Sequence, residues 1–184
     1  TEDVYDKLET DDLPNLQMYY DLVEKYPDQF EISENEFYCD GKVLNQKNDY
    51  QNISLRCTTS GYFSMTNKKL AEGRFLTLRD DLEKKSVAVV SETFAKKYCG
   101  NSSIINKPIT IVLENGEEAI FYVVGVYKKN SSDVEQSANQ KTNIYVPYQC
   151  YLNPQDIKAT YVTVVWNPDM GIDSAKENFT RFFG

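Results

Sequence analysis

Apolar positions along this chain change their spacing several times, and each change marks an element. Leu13, Leu16, Tyr20 and Val23 recur at three- to four-residue intervals, the stripe of a helix lying on a core. Asp11 or Asp12 stands where such a helix is capped, Pro14 falls near its start, and Pro27 stops it at or before Tyr26. From Phe30 to Arg56 the period shortens to a weak alternation: Phe30/Ile32, Phe37/Cys39, Val43, then Ile53/Leu55. That pattern predicts two or three short strands, with a turn at Asp40-Gly41 and a polar loop over 45–51.

The centre of the chain is better organised. Residues 87–90, VAVV, form a continuous apolar run, as in a strand covered on both faces. Ser91 caps the helix that follows, Phe94, Ala95 and Tyr98 share one side of it, and Gly100 stops it. Two alternating stretches, 109–113 and 119–126, flank Asn115-Gly116, a pair suited to the two positive-φ positions of a tight hairpin. Residues 128–141 are polar and read as a loop; 143–148 reads as a strand stopped by Pro147, and 161–166 as an alternating strand. Asp169 or Asp173 is placed to cap a last helix bearing Ile172, Ala175, Phe179 and Phe182 on one face. The composite is an α+β fold with mixed sheets.

Composition removes several functions. The 184 residues suffice for one core or two small subdomains, and 14 Tyr with 9 Phe are too many aromatics for a disordered chain. A net charge of −8 without a dense basic cluster disfavours nucleic acid and adsorption to anionic membrane surfaces. Histidine is absent, which closes Ser-His-Asp and Cys-His catalysis. Cys39, Cys57, Cys99 and Cys150 lack zinc-site spacing. A Cys39–Cys57 disulfide and four free, partly buried thiols both remain open. Sequons stand at Asn52, Asn101, Asn130 and Asn178 and matter only in a eukaryotic secretory setting. No apolar run approaches the roughly 18 residues of a spanning helix. The start at Thr1 and the stop at Gly184 after a helical pattern read as a fragment excised from a longer protein.

The segment from Gly73 to Asp81 invites chemistry but reads as architecture. Gly73-Arg74 fits neither nucleotide-binding glycine pattern, and a glycine there serves a backbone turn that a Cβ would strain. Arg74 has a carboxylate to pair with nearby, while Phe75 and Leu78 anchor the turn. Thr77 and Asp80 have capping-box spacing, so the cluster Asp80, Asp81 and Glu83 reads as a cap and a solvated face, not as the facing carboxyls of a hydrolase. Gly125 marks a bulge or a close strand contact. Tyrosines at the core edge explain most of the tyrosine count, and Trp166 reads as a packing residue at the rim.

Five stretches of residues together resemble one family. They are TSGYFSMTNKKLAEGRFLTLRDD (59–81), SVAVVSETFAKKYCG (86–100), NKPITI (106–111) and FYVVGVY (121–127), followed by TNIYVPY (142–148). In order and spacing this is similar to the extracytoplasmic, MacB-like core domain of FtsX/MacB-type ABC transporter permeases. The motif positions are Tyr62, Phe63, Gly73, Arg74, Phe75, Asp80 and Gly125, all in structural roles. The resemblance implies a two-lobed, mixed-sheet α+β domain between two membrane spans. Residues 1–58 and 156–184 would form a porter-like α/β part, and 59–155 an inserted strand-rich lobe. It implies no catalytic residue, metal or cofactor in this piece. The expected partners are an ABC ATPase subunit or domain, a second permease copy or partner permease, and an exported substrate. The short insert favours a permease of the Gram-positive cell surface over a tripartite pump. A cell-surface binding module using exposed aromatics is the rival reading, and a carboxylate-based hydrolase a more distant one.

Overall fold

The structure, a computed structural model, describes residues 14–129, 141–159 and 161–184. The expected caps Asp11 and Asp12, and Leu13, lie outside the described residues, as do Asn130 and most of the 128–141 stretch. The chain divides into two compact units, residues 1–33 with 153–184, and residues 34–152.

In the first unit, α1 (Leu16–Lys25) buries Leu16, Tyr20, Leu22 and Val23. Asn15 occupies its N-cap, without a side-chain cap bond. β1 (Phe30–Ser33) pairs antiparallel with β9 (Thr163–Trp166), Phe30 opposite Trp166. α5 (Ile172–Phe183) follows Gly171, whose φ of 79° ends the preceding 3₁₀ turn. Neither Asp169 nor Asp173 caps this helix. Asn167 caps the 3₁₀ turn, and Asp173 sits inside the first turn of α5, where a carboxylate favours the helix dipole. Gln29 is buried; its amide donates to Ser174 Oγ at 3.3 Å and its carbonyl accepts from Asn178 Nδ2 at 2.7 Å.

The second unit is built on seven strands: β2 (Asn35–Leu44), β3 (Tyr50–Thr58), β4 (Leu70–Gly73), β5 (Val87–Ser91), β6 (Pro108–Leu113), β7 (Glu118–Tyr127) and β8 (Thr142–Pro147). Their order is β4-β7-β5-β8-β3-β2-β6, and β6 also pairs with β7. That last pairing joins the ends of a six-stranded ring and leaves β4 as an appendage on β7. Closure removes the free edges that an open sheet would present. The β3–β8 and β5–β7 pairs are parallel and the others antiparallel, so the sheet is mixed. Alternation along β6 and β3 sends Ile109, Ile111 and Leu113, and Ile53, Leu55 and Cys57, into the core. β5 is buried along nearly its whole length, as its unbroken apolar run predicts.

Two turn expectations meet different outcomes. Asp40-Gly41 is not a turn but the middle of β2, paired to both β3 and β6. A Cβ on Gly41 would stand 2.8 Å from the Val112 carbonyl oxygen, so this glycine lets β6 close in. The chain reverses instead over 45–49, where Asn45 Oδ1 accepts from the N–H groups of Lys47 and Asp49. The β6–β7 hairpin forms where Asn115-Gly116 predicts it. Only Gly116 has positive φ, at 90°. Leu113 and Glu117 close a three-residue loop with a left-handed third residue, the next most common hairpin after the two-residue kind.

Candidate functional site

α2 (Ser60–Met65), β4 and α3 (Leu78–Leu82) carry most of the motif residues. β4 ends at Gly73, paired with Gly125 of β7. The two backbones approach so closely that a Cβ on Gly73 would lie 2.1 Å from the Val124 carbonyl oxygen. One on Gly125 would lie 1.9 Å from the Arg74 carbonyl oxygen. The β5–β7 register slips here, Ala88 facing Val123 but Val89 facing Gly125, so Val124 is an extra residue.

Past this crossing, Arg74 reaches the Asp80 carboxylate with both terminal nitrogens, at 2.6 and 3.2 Å. Asp80 Oδ2 also accepts the Thr77 backbone N–H at 2.9 Å, and Thr77 Oγ1 accepts the Asp80 N–H at 3.2 Å. The capping box therefore forms with Asp in place of the usual Glu and carries a bidentate arginine on the same carboxylate. Asp80 is 1% exposed while Arg74 is 46% exposed. Burial alone would raise the pKa of Asp80. Its bonds to the Arg74 guanidinium and to Thr77 outweigh that, and the net shift is downward from 3.8.

Phe63, Leu76, Val89, Tyr127 and Tyr145 form the cluster behind this joint, with Tyr62 and Phe75 packed against it. Phe63 stacks on Phe75 with ring centroids 4.6 Å apart and meets Tyr145 edge-on at 5.5 Å. Tyr62 and Tyr145 bring their hydroxyls within 3.4 Å.

Asp81 is the residue that sequence reasoning undervalued. It is buried, and its Oδ1 accepts the backbone N–H of Gln149, 68 positions away, at 2.9 Å. No local pattern announces a bond of that span. Asp80 and Asp81 thus direct their carboxylates to different structural partners. The cysteines are free thiols: on adjacent strands, Cys39 faces Leu55 and Cys57 faces Glu36. Burial pushes the Cys57 thiol up to about 12 and Cys150 up to about 11, which leaves both protonated and poorly nucleophilic at neutral pH.

Glu34 is the unusual acid. Burial, reinforced by the neighbouring Glu36 carboxylate, raises its pKa from 4.5 to about 7. Its backbone N–H donates to Thr59 Oγ1 at 2.8 Å, and its carbonyl accepts the Thr59 N–H at 3.1 Å. A raised folded-state pKa means the folded protein holds a proton that the unfolded chain has released. Stability therefore falls as pH rises from about 4.5 to about 7 and is level above that. Glu34→Gln is expected to stabilise the protein at pH 8 by about 1 kcal/mol, discounted for partial solvent exposure, and to do nothing near pH 4. Urea titrations at both pH values check this; a constant difference would contradict it.

In the first unit an apolar groove of about 430 Å³ is lined by Tyr19, Phe30, Val164, Trp166, Lys176 and Phe179, among others. Trp166, expected as a rim packing residue, is 36% exposed on it. Tyr50 and Tyr122 are exposed in the second unit, where Lys42 Nζ stands 4.4 Å from the Tyr50 ring centroid, and Tyr161 is exposed in the first. Among the described residues, no His/Cys/Asp/Glu group could hold a metal, and no helix is long and apolar enough to cross a membrane.

The family model for the MacB-like periplasmic core domain matches residues 9–182. Among solved structures, the periplasmic region of MacB from Actinobacillus actinomycetemcomitans is similar. It shares 21% identity at a TM-score of 0.52, over 89% of this chain and 71% of that one. The extracellular domain of the noncanonic ABC-type transporter YknZ from Gram-positive bacteria shares 19% identity at a TM-score of 0.50. That match covers 89% of this chain and 78% of that one. No curated protein gives a significant sequence match.

Proposed function

The chain belongs to the MacB-like periplasmic core domain family, and on that premise we propose that it is the extracytoplasmic domain of an ABC transporter permease that relays ATP-driven movement outside the membrane. The observation that carries this reading is the family match from residue 9 to residue 182, nearly the whole chain. An ATPase subunit or domain would hydrolyse the nucleotide, and a second permease copy or partner permease would complete the transporter. The similarity to a Gram-positive extracellular domain supports a position on that kind of cell surface.

A relay has to stay stiff under load, and the second unit is suited to that. Its strands close on themselves, and the joint from Gly73 through Arg74 to Asp80 is held by backbone pairing, a cap and an ion pair at once. Tyr62, Phe63 and Phe75 back the joint with stacked rings, and Gly125 gives it room. In this reading the seven motif residues are structural.

Cargo contact is the second reading, and the apolar groove favours it. The two separate in a reconstituted permease–ATPase complex. If the domain relays force, Asp80→Asn lowers transport while ATP hydrolysis continues, and Trp166→Ser changes neither. If the groove holds cargo, Trp166→Ser raises the substrate concentration needed for half-maximal transport. Full transport after Asp80→Asn, in a domain shown to be loosened by hydrogen exchange, would overturn the relay.

A further inference from the structure

A second cavity, in the other unit, has a different chemistry. It is about 150 Å³ and is lined by Lys68, Lys129, Lys141, Thr93, Thr142 and Tyr145, among others. Acids outnumber bases 28 to 20 in this chain, yet among the described residues every charged side chain lining this cavity is a lysine. A basic concavity on an acidic protein concentrates positive potential where little else supplies it.

Further features add to that potential. Ser91 and Thr93 belong to the start of α4 (Glu92–Cys99), and the first backbone N–H groups of a helix lack intrahelical partners. Ser91 Oγ accepts the Phe94 N–H at 3.0 Å, and Ser91 also pairs with Tyr127 in the sheet, so the Thr93 N–H is the donor of this helix start that faces another acceptor. Thr142 Oγ1, also on the lining, is shielded from solvent and has no hydrogen-bond partner among the described residues. A buried hydroxyl without a partner is uncommon in a folded protein and fits a donor that a ligand satisfies.

Of the three lysines, Lys141 has its charge taken up by an acid, which leaves Lys68 and Lys129. Asp40 is bound to Lys141 Nζ at 2.5 Å and accepts Ser54 Oγ at 2.7 Å. Glu92 accepts the Lys129 backbone N–H at 3.2 Å. Lys68 Nζ stands 4.9 Å from the Tyr127 ring centroid and 5.9 Å from that of Tyr145, held by the ring faces. Lys68 and Lys129 form no ion pair among the described residues.

We propose that this cavity binds a phosphate-type oxyanion, with Lys68 and Lys129 supplying the charge and the start of α4 and Thr142 supplying directed donors. Several ammonium and hydroxyl donors around one small volume suit a tetrahedral anion, whose oxygens point several ways, better than a planar carboxylate. The phosphate could be free, part of a soluble phosphomonoester, or the headgroup of a phospholipid.

Titration of the domain with inorganic phosphate, followed by amide NMR at constant ionic strength, tests this. Saturable shifts are expected at Thr93, Lys129 and Thr142, absent with sodium chloride or acetate. The double substitution Lys68→Gln/Lys129→Gln is expected to weaken binding roughly tenfold, with the thermal midpoint unchanged. Co-sedimentation with vesicles of phosphatidylglycerol and phosphatidylcholine, against phosphatidylcholine alone, separates the sources. Capture by the anionic vesicles that is lost in the double variant identifies a headgroup; phosphate binding without capture identifies a soluble phosphate. Equal shifts with acetate or chloride, phosphate affinity unchanged in the double variant, or vesicle capture without phosphate-specific shifts would each overturn the proposal.

Discussion

Gly73→Val is expected to destabilise the domain by roughly 2–6 kcal/mol. About 1–3 kcal/mol comes from holding a residue with a Cβ at positive φ. A further 1–3 kcal/mol or so comes from forcing volume into a packed contact. Both apply here, since φ is 75° and the added Cβ would meet a backbone carbonyl oxygen at 2.1 Å. A carbonyl in a paired strand cannot rotate away as a flexible side chain would. A control separates the two contributions. Gly100, at φ 62°, has nothing within 4 Å of a built Cβ, so Gly100→Ala carries the backbone strain alone. Thermal unfolding should show Gly73→Ala well below Gly100→Ala in midpoint, and Gly73→Val lower still. Equal midpoints for the two alanine variants would show that the close crossing of β4 and β7 is not what demands glycine at 73.

Removal of the Asp80 carboxylate should have the next largest effect. Asp80→Ala is expected to cost about 2–4 kcal/mol, below the range for a fully buried pair because the freed Arg74 is half exposed and regains water. Asp80→Asn keeps an acceptor for the Thr77 N–H but loses the charge, so it should fall between wild type and Asp80→Ala. The sign with pH is fixed by the depressed pKa. The stabilisation is fully present above the unfolded value near 3.8, and it disappears as pH falls through the lower, folded-state value. The gap between wild type and Asp80→Asn should therefore be constant from neutral pH to about 5 and shrink below about 4. A gap that persists unchanged at pH 2 would mean that the ion pair contributes nothing and that the cap alone holds the turn. This acid-side loss runs opposite to the Glu34 effect, which grows as pH rises. The two are separable in one pH series.

How legible these features were depended on how far apart the interacting residues lie. The Thr77–Asp80 box and the Ser91 cap are bonds across three positions, and both form as their spacing predicts. The hairpin at Asn115-Gly116 also forms, because a turn joins near neighbours; its exact conformation differed, since one left-handed residue was enough once Leu113 and Glu117 paired. Asp40-Gly41 shows where the same reasoning fails. A glycine that relieves backbone strain and one that admits a neighbouring strand read alike in sequence, and only the approach of β6 distinguishes them. The N-terminus of α5 failed for a related reason, since Gly171 and the 3₁₀ turn before it displaced both candidate aspartates.

By itself the sequence determined the local alphabet of this protein. Helix stripes, the double-sided burial of β5, the caps, the hairpin and the absence of histidine chemistry all follow from residues a few positions apart or from composition. The tertiary structure alone decided the closure of the strands into a ring, the long bond from Asp81 to Gln149, the high pKa of Glu34, and the gathering of lysines from distant segments around one cavity. The physical reason is that burial and electrostatic potential are sums over neighbours in space. A chain specifies those neighbours only through its fold, not through the order in which they are written.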